Sequence, residues 1–469
     1  MRRTLIYTLV GLLSPLVTLL LLPVYLNYLT TSEYVILSLS NSFIAVFSIF
    51  FNLKVDQAMR TIYFYNSDDF DKQKQLFRTL FSFQIISFIV WLLVFLMVGN
   101  SLFSIIYKNV VPFFPYTFII LSTFLVNSLC GFYYIYLQNK LEVFKYSTYF
   151  VGSTLLINGL QLFCIFYLKL DFIWFLIAPL IANSFIFLII YLRNSSLFKF
   201  QISKPILIEA LRFSLPFIPF LVIYNIENQL DRFFIDRLLT IELLAKYVVL
   251  LSIASVVSTL FNSVDNAIRP ELFSILSNEN DTKKVQVQFN FYLLIGLLSL
   301  SFLVFFGVHI HWFLDNPKYN GIAPYFPMIG IAFLPMIFLR FFALQLIYEN
   351  KVSKMNVYSA IKIIIMAILF WILIPEFGIP GAIITLAVSN FLNAFLFFIL
   401  LKNKTLPRVK IISYCMSFLI LNLVLCFKEN AYLLSLVSSF QCLLFVGIFF
   451  LQYKNQIINY FNKPNTNES

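Results

Sequence analysis

Charge is scarce in this 469-residue chain: Asp, Glu, Lys and Arg together make up 12% of it. So few charges cannot solvate the surface of a soluble protein of that length. Histidine is nearly missing too, with His309 and His311 alone, placed at the end of an apolar run where an interfacial role is expected rather than a catalytic one. No segment matches a Walker A loop or an H-E-x-x-H pair, so nucleotide hydrolysis and metalloprotease chemistry are not expected. The five cysteines, Cys130, Cys164, Cys415, Cys426 and Cys442, all fall in apolar stretches without ligand spacing. They read as small core residues, neither disulfides nor metal ligands. No cofactor and no enzymatic activity are expected.

What the chain has instead is hydrocarbon, with 61% hydrophobic residues and 58 phenylalanines. Apolar runs long enough to cross a bilayer recur about fourteen times between short polar breaks. The fold class expected is therefore an all-α polytopic membrane protein of about fourteen transmembrane helices. The first run follows Met1-Arg2-Arg3, is too long for a signal peptide, carries Pro15 and Pro23 and is read as a retained span. The net charge of +12 points to orientation and not to nucleic acid. Basic residues crowd alternate loops, including Arg2, Arg3, Lys72, Lys74, Arg78, Lys140, Lys145, Lys351 and Lys354. By the positive-inside rule both termini are expected in the cytoplasm of a bacterial inner membrane. Arg232, Arg237, Lys246 and Arg340 do not follow that pattern.

The chain also repeats itself. Val55-Asp56-Gln57-Ala58-Met59-Arg60 recurs as Val264-Asp265-Asn266-Ala267-Ile268-Arg269, about 210 residues later. Tyr34 answers Tyr247, Asn139-Lys140 answers Asn350-Lys351, and Asn183 answers Asn390 at nearly the same offset. An even number of helices per copy keeps both copies in one orientation, so two parallel-repeat bundles of about six helices around a central cavity are expected. The division expected is 1–200 and 201–405 for the two bundles and 406–469 for two additional helices and a cytoplasmic tail. Pro15, Pro23, Pro216, Pro219 and Pro335 lie within spans and are candidate bending points or static curves.

Ionisable groups inside spans need a partner, a wet cavity or a route to the interface. Around helix seven Tyr224, Asn225, Glu227, Asn228, Asp231 and Arg232 interrupt an apolar run. Helical spacing puts Asn225, Asn228 and Arg232 on one stripe and Tyr224, Glu227 and Asp231 on the next, so they either line a cavity or sit at the headgroups. Arg340 stands alone within another span; it can fork onto a diphosphate or snorkel to the interface. Asp56/Arg60 and Asp265/Arg269 are spaced for i, i+4 ion pairs that support the fold or flank a cytoplasmic entrance. Lys54 and Lys362 are placed near that same entrance, where anionic lipid would also draw a lysine.

The run Leu211-Arg212-Phe213-Ser214-Leu215-Pro216-Phe217-Ile218-Pro219, followed by Asn228-x-x-Asp231-Arg232-Phe233-Phe234-Ile235, Tyr247 and Ile268-Arg269-Pro270-Glu271-Leu272-Phe273, resembles polysaccharide-repeat-unit (O-antigen type) flippases. These belong to the multidrug/oligosaccharidyl-lipid/polysaccharide exporter superfamily. Leu244-Ala245-Lys246-Tyr247 departs from the family, which commonly has glycine before that tyrosine. The resemblance implies alternating-access transport of a polyprenyl-diphosphate-linked oligosaccharide for surface polysaccharide such as lipopolysaccharide. A proton or sodium ion is the candidate coupling ion, and membrane lipids, a polysaccharide polymerase and chain-length proteins are the expected neighbours. On that resemblance Arg232 and Arg340 attract the diphosphate or acidic sugars, Asp231 and Glu227 orient them or titrate, and Asn225, Asn228 and Tyr224 bond sugar hydroxyls. The alternatives are a cation-coupled multidrug exporter of the same superfamily and a non-transporting polymerase or scaffold of glycan assembly.

Overall fold

A computed structural model describes residues 2–65, 69–107, 112–278, 282–312, 316–319, 321–349, 351–402, 409–426 and 431–461. Asn350, one member of the repeat, lies outside them, as does the side chain of His311. All regular elements among the described residues are helical. The chain divides into two compact units, Met1–Val248 and Val249–Ser469. The first holds α1 (Arg2–Tyr28), α2 (Thr31–Asn52), α3 (Val55–Tyr65), α4 (Phe70–Ile106), α5 (Phe118–Asn139), α6 (Val143–Leu162), α7 (Phe172–Arg193), α8 (Lys204–Ser214), α9 (Ile218–Leu238) and the start of α10 (Ile241–Asn278). The second holds the rest of α10, then α11 (Thr282–Val308), α12 (Tyr325–Tyr348), α13 (Val352–Phe377), α14 (Ile379–Leu400), α15 (Val409–Cys426) and α16 (Ala431–Phe461).

Among the described residues 11 helices are long and apolar enough to span a membrane, and Leu16–Tyr28 and Ile412–Cys426 are shorter apolar helices. The remaining apolar run of the sequence is α9, whose carboxylates, arginines and amides lower its hydropathy. The outward faces confirm a hydrocarbon solvent. On α13 Val357, Ile361, Ile364, Ile368, Trp371 and Ile372 are all at least 40% exposed, one stripe at helical spacing that water would not tolerate. The opposite stripe, Met355, Lys362, Met366, Phe370 and Ile374, is buried. This is a multi-pass membrane protein.

Local chemistry sets the breaks. Thr30 and Glu33 form a reciprocal capping box that starts α2: Thr30 Oγ1 accepts from the Glu33 N–H at 3.3 Å, and Glu33 Oε2 accepts from the Thr30 N–H at 2.8 Å. Leu53 and Lys54 then take left-handed backbone (φ 45° and 56°), and Asn52 Oδ1 accepts the Lys54 N–H at 2.9 Å. This turn makes the first copy of the repeated motif the start of a separate amphipathic helix, α3. It buries Val55, Ala58, Met59, Ile62 and Tyr63 while Gln57 and Arg60 face out. The second copy, Val264 to Arg269, runs on inside α10 without a break.

The first unit is packed largely by aromatic rings. Phe43, Phe95 and Phe103 meet edge to face across α2 and α4, and Phe77, Phe81, Phe132 and Phe198 form a second cluster beneath α3 and α8. Such pairs add about 0.5–1.5 kcal/mol each beyond area burial. In the second unit α12 packs on α14 and α11, and α15 and α16 cover α11. His309 is buried there, 1% exposed, its Nε2 at 2.6 Å from Ser435 Oγ on α16 and its ring against Trp312. The ring is buried at the end of α11 with both nitrogens in contact with acceptors or donors, and Phe305 O lies 2.8 Å from its Nδ1.

α13 turns into α14 at Gly378 (φ 62°), and Gly381 then lies so close to the preceding helix that a Cβ would fall on the Leu373 carbonyl oxygen. Backbone cannot swing aside as a side chain can. Gly381→Ala is expected to destabilise the α13–α14 hairpin by about 1–3 kcal/mol. Thermal unfolding in detergent checks this, and an unchanged midpoint would mean that the two backbones part without cost.

Candidate functional site

The polar face of α9 is realised, and two of its residues, Asn225 and Asp231, bond to other helices of the first unit. Asn225 donates through Nδ2 to the Ala45 carbonyl on α2 at 2.6 Å, and Asn228 donates to its own helix at Tyr224 O, 2.8 Å. Asp231 is 5% exposed. Its Oδ2 accepts the Tyr247 hydroxyl at 2.8 Å and its Oδ1 accepts the Arg232 N–H at 2.8 Å. Tyr247, fully buried at the start of α10, thereby closes the α9–α10 hairpin. The Arg232 guanidinium reaches back to Gln229 Oε1, and its buried Nε has no partner among the described residues. Tyr107 lies within electrostatic reach of Arg232, Asp236 and Asp231. Arg237 donates to the last carbonyls of α4, at Ile105 and Ile106, a favourable place for a cation at a helix C-terminus. That contact explains a charge with no topological role. Tyr224 is half-exposed and Glu227 partly buried.

Arg340 has a different setting. Roughly 22 Å along α12 from Tyr325, it donates through Nη1 to Asp265 Oδ2 at 3.0 Å and to Asn262 Oδ1 at 2.8 Å, both on α10. Its guanidinium lies over the Phe261 ring, 5.7 Å from the centroid. Asp265 Oδ1 in turn accepts the Tyr292 hydroxyl of α11 at 2.5 Å. The side chains of Arg340 and Asp265 are 14% and 15% exposed. Three helices thus build one charged cluster, and Arg340 does not snorkel away from it.

The expected i, i+4 pairs are not formed. Asp265 is committed to Arg340, and Arg269 is exposed. In the first copy Arg60 donates to Gln138 Oε1 at 2.9 Å, and Asp56 Oδ1 is buried with no partner among the described residues. Lys362, expected near the cytoplasmic entrance, is 3% exposed. It donates to Asn390 Oδ1 at 2.9 Å, and Asn390 Nδ2 donates to Ala332 O at 3.1 Å, tying α13, α14 and α12 together. A lysine on the inward stripe of a lipid-facing helix must find a protein acceptor. The motif symmetry could not show these partners, because each lies many residues away on another helix.

An apolar cavity of about 620 Å³ is lined by Pro335, Phe338, Phe391, Ala394, Phe398 and Leu419 among others. Helical spacing puts it on the opposite face of α12 from Arg340, so the two are separate features. Among the described residues no cluster of His, Cys, Asp or Glu could hold a metal ion, and all five cysteines are free thiols.

The helical architecture is that of the transporters of the multidrug/oligosaccharidyl-lipid/polysaccharide (MOP) superfamily. An outward-facing multidrug resistance MATE family transporter of that superfamily aligns over 88% of this chain and 96% of its own, at 13% identity and TM-score 0.62. A Vibrio cholerae MATE transporter aligns over 85% and 94% at 14% identity and TM-score 0.61. The lipid II flippase MurJ in an inward closed conformation aligns over 97% and 98% at 14% identity and TM-score 0.58. None of the curated proteins matches the chain. Residues 1–276 match the model of the polysaccharide biosynthesis protein family, and the chain belongs to that family.

Proposed function

We propose that this protein is a flippase that carries a lipid-linked oligosaccharide repeat unit across the cytoplasmic membrane by alternating access, for assembly of a surface polysaccharide such as O-antigen. The observation that carries the reading is Arg340: a guanidinium held deep in an apolar body, in a chain of the polysaccharide biosynthesis family. An arginine so placed costs insertion energy of about 2.5–3.5 kcal/mol; Asp265 offsets part of that cost, and the guanidinium keeps donors for a second anionic group. A polyprenyl diphosphate carries such a group. The fold shared with a lipid II flippase supports a lipid-borne cargo. On this reading both termini are cytoplasmic, and a proton or sodium gradient or the cargo's own disequilibrium drives transport. Polymerase and chain-length proteins would act on the delivered unit.

The fold shared with multidrug transporters favours a second reading, export of small amphipathic compounds. Proteoliposomes separate the two. The protein is expected to make a fluorescent polyprenyl-diphosphate-linked oligosaccharide accessible to an external quencher, and to leave a small cationic dye gradient untouched. Dye efflux without flipping would replace the first reading by the second.

A further inference from the structure

The Asp265–Arg340 pair is absent from the first copy of the repeat although its aspartate is present. α5, the counterpart of α12, contains no Lys or Arg, and α4, the counterpart of α11, contains no Tyr. Asp56 therefore has neither an arginine nor a tyrosine like those that engage Asp265. The duplicated unit packs its helices without the ion pair, so helix packing alone does not call for it in the second copy.

The geometry of the pair shows what it leaves open. Both hydrogen bonds of Arg340 use Nη1, and among the described residues Nε and Nη2 have no protein partner. These two form the side edge of the guanidinium, the fork that takes two oxygens of a phosphate at once. Asp265 is itself held by Tyr292 on a third helix, so the plane of the guanidinium is fixed by Asp265, Asn262 and the Phe261 ring.

We propose that Asp265 is a positioning residue for the transported anion: by holding Nη1 it presents the Nε–Nη2 edge of Arg340 to a phosphate or diphosphate, and its charge keeps that binding weak enough to release. The identity of the anion's carrier rests on the flippase reading; the anion site itself does not. Tyr292 tempers the carboxylate, drawing part of its charge away from Arg340.

The test titrates farnesyl diphosphate into the full-length protein in detergent micelles and follows flipping in proteoliposomes with the same variants. Asp265→Asn keeps the shape and an acceptor oxygen but removes the opposing charge, so Kd is expected to fall about tenfold while flipping slows. Tyr292→Phe frees the carboxylate to hold Arg340 harder, and Kd is expected to rise about threefold. Arg340→Gln loses binding. Opposite shifts in the first two are not what a general loosening of the fold would give. Unchanged or weaker binding in folded Asp265→Asn, or undiminished binding in Arg340→Gln, overturns the proposal. If Asp265→Asn does not fold, Tyr292→Phe decides alone: a weaker Kd upholds it and an unchanged one overturns it. Wild-type protein that binds farnesyl diphosphate but flips nothing sinks the flippase reading and leaves the anion site standing. Wild-type protein that does not bind the diphosphate overturns the site.

Discussion

Asp231→Ala is expected to cost the protein about 2–5 kcal/mol of stability and most of its folded yield. The carboxylate is 5% exposed and the Tyr247 hydroxyl it accepts belongs to a residue with no exposure at all. Removing it leaves a buried donor without an acceptor and takes the neighbouring negative charge away from Arg232, which lies beside it on α9. Asp231→Asn keeps an acceptor for Tyr247 and should lose less, and Tyr247→Phe less than Asp231→Ala. Fluorescence-detected size exclusion and thermal unfolding in detergent rank the three. An Asp231→Ala protein as stable as the parent would mean that the hairpin does not depend on this bond, and would return Asp231 to the pool of cargo-facing candidates.

Arg340→Gln is the substitution with the largest expected effect on transport. Glutamine can still bond Asn262 and Asp265 but carries no charge and no fork, so the fold is expected to survive. The initial rate of flipping is expected to fall by about 100-fold or more, in line with the 2–5 kcal/mol typical of truncating one partner of a buried charged pair. The same variant discriminates the two transport readings. If the cargo were a cation, removing a positive charge would leave its export unchanged or improve it. A flipping rate within threefold or so of the parent, a difference below about 1 kcal/mol, would exclude Arg340 from cargo recognition.

Membership of a multi-pass helical class was legible from composition alone, because lipid admits only backbone that satisfies its own hydrogen bonds, and long apolar runs in lipid do so as helices. The repeat was legible as well, since duplication leaves its trace in residue order whatever the chain folds into. The α9 cluster was visible as polar residues in an apolar run. Its partners were not: Asn225 bonds Ala45, Asn228 its own helix, and Asp231, on the neighbouring stripe, Tyr247. Spacing within a helix tells which residues share a face and says nothing of what that face meets.

The same limit explains Asp56, Asp265 and Lys362. An i, i+4 spacing makes Asp265 and Arg269 neighbours, yet Asp265 bonds Arg340 and Tyr292 on helices far along the chain. The position of Lys362 in the sequence gives no sign that it lies on the buried stripe of α13 and donates to Asn390. The sequence by itself determined that this protein lives in a membrane, as helices, from a duplicated plan, because solvent and backbone hydrogen bonding act on every residue locally. Only the tertiary structure decided which of its few charges hold helices together and that Arg340 does so through Nη1, because in a medium without water each charge takes whatever partner the packing of distant helices brings within reach.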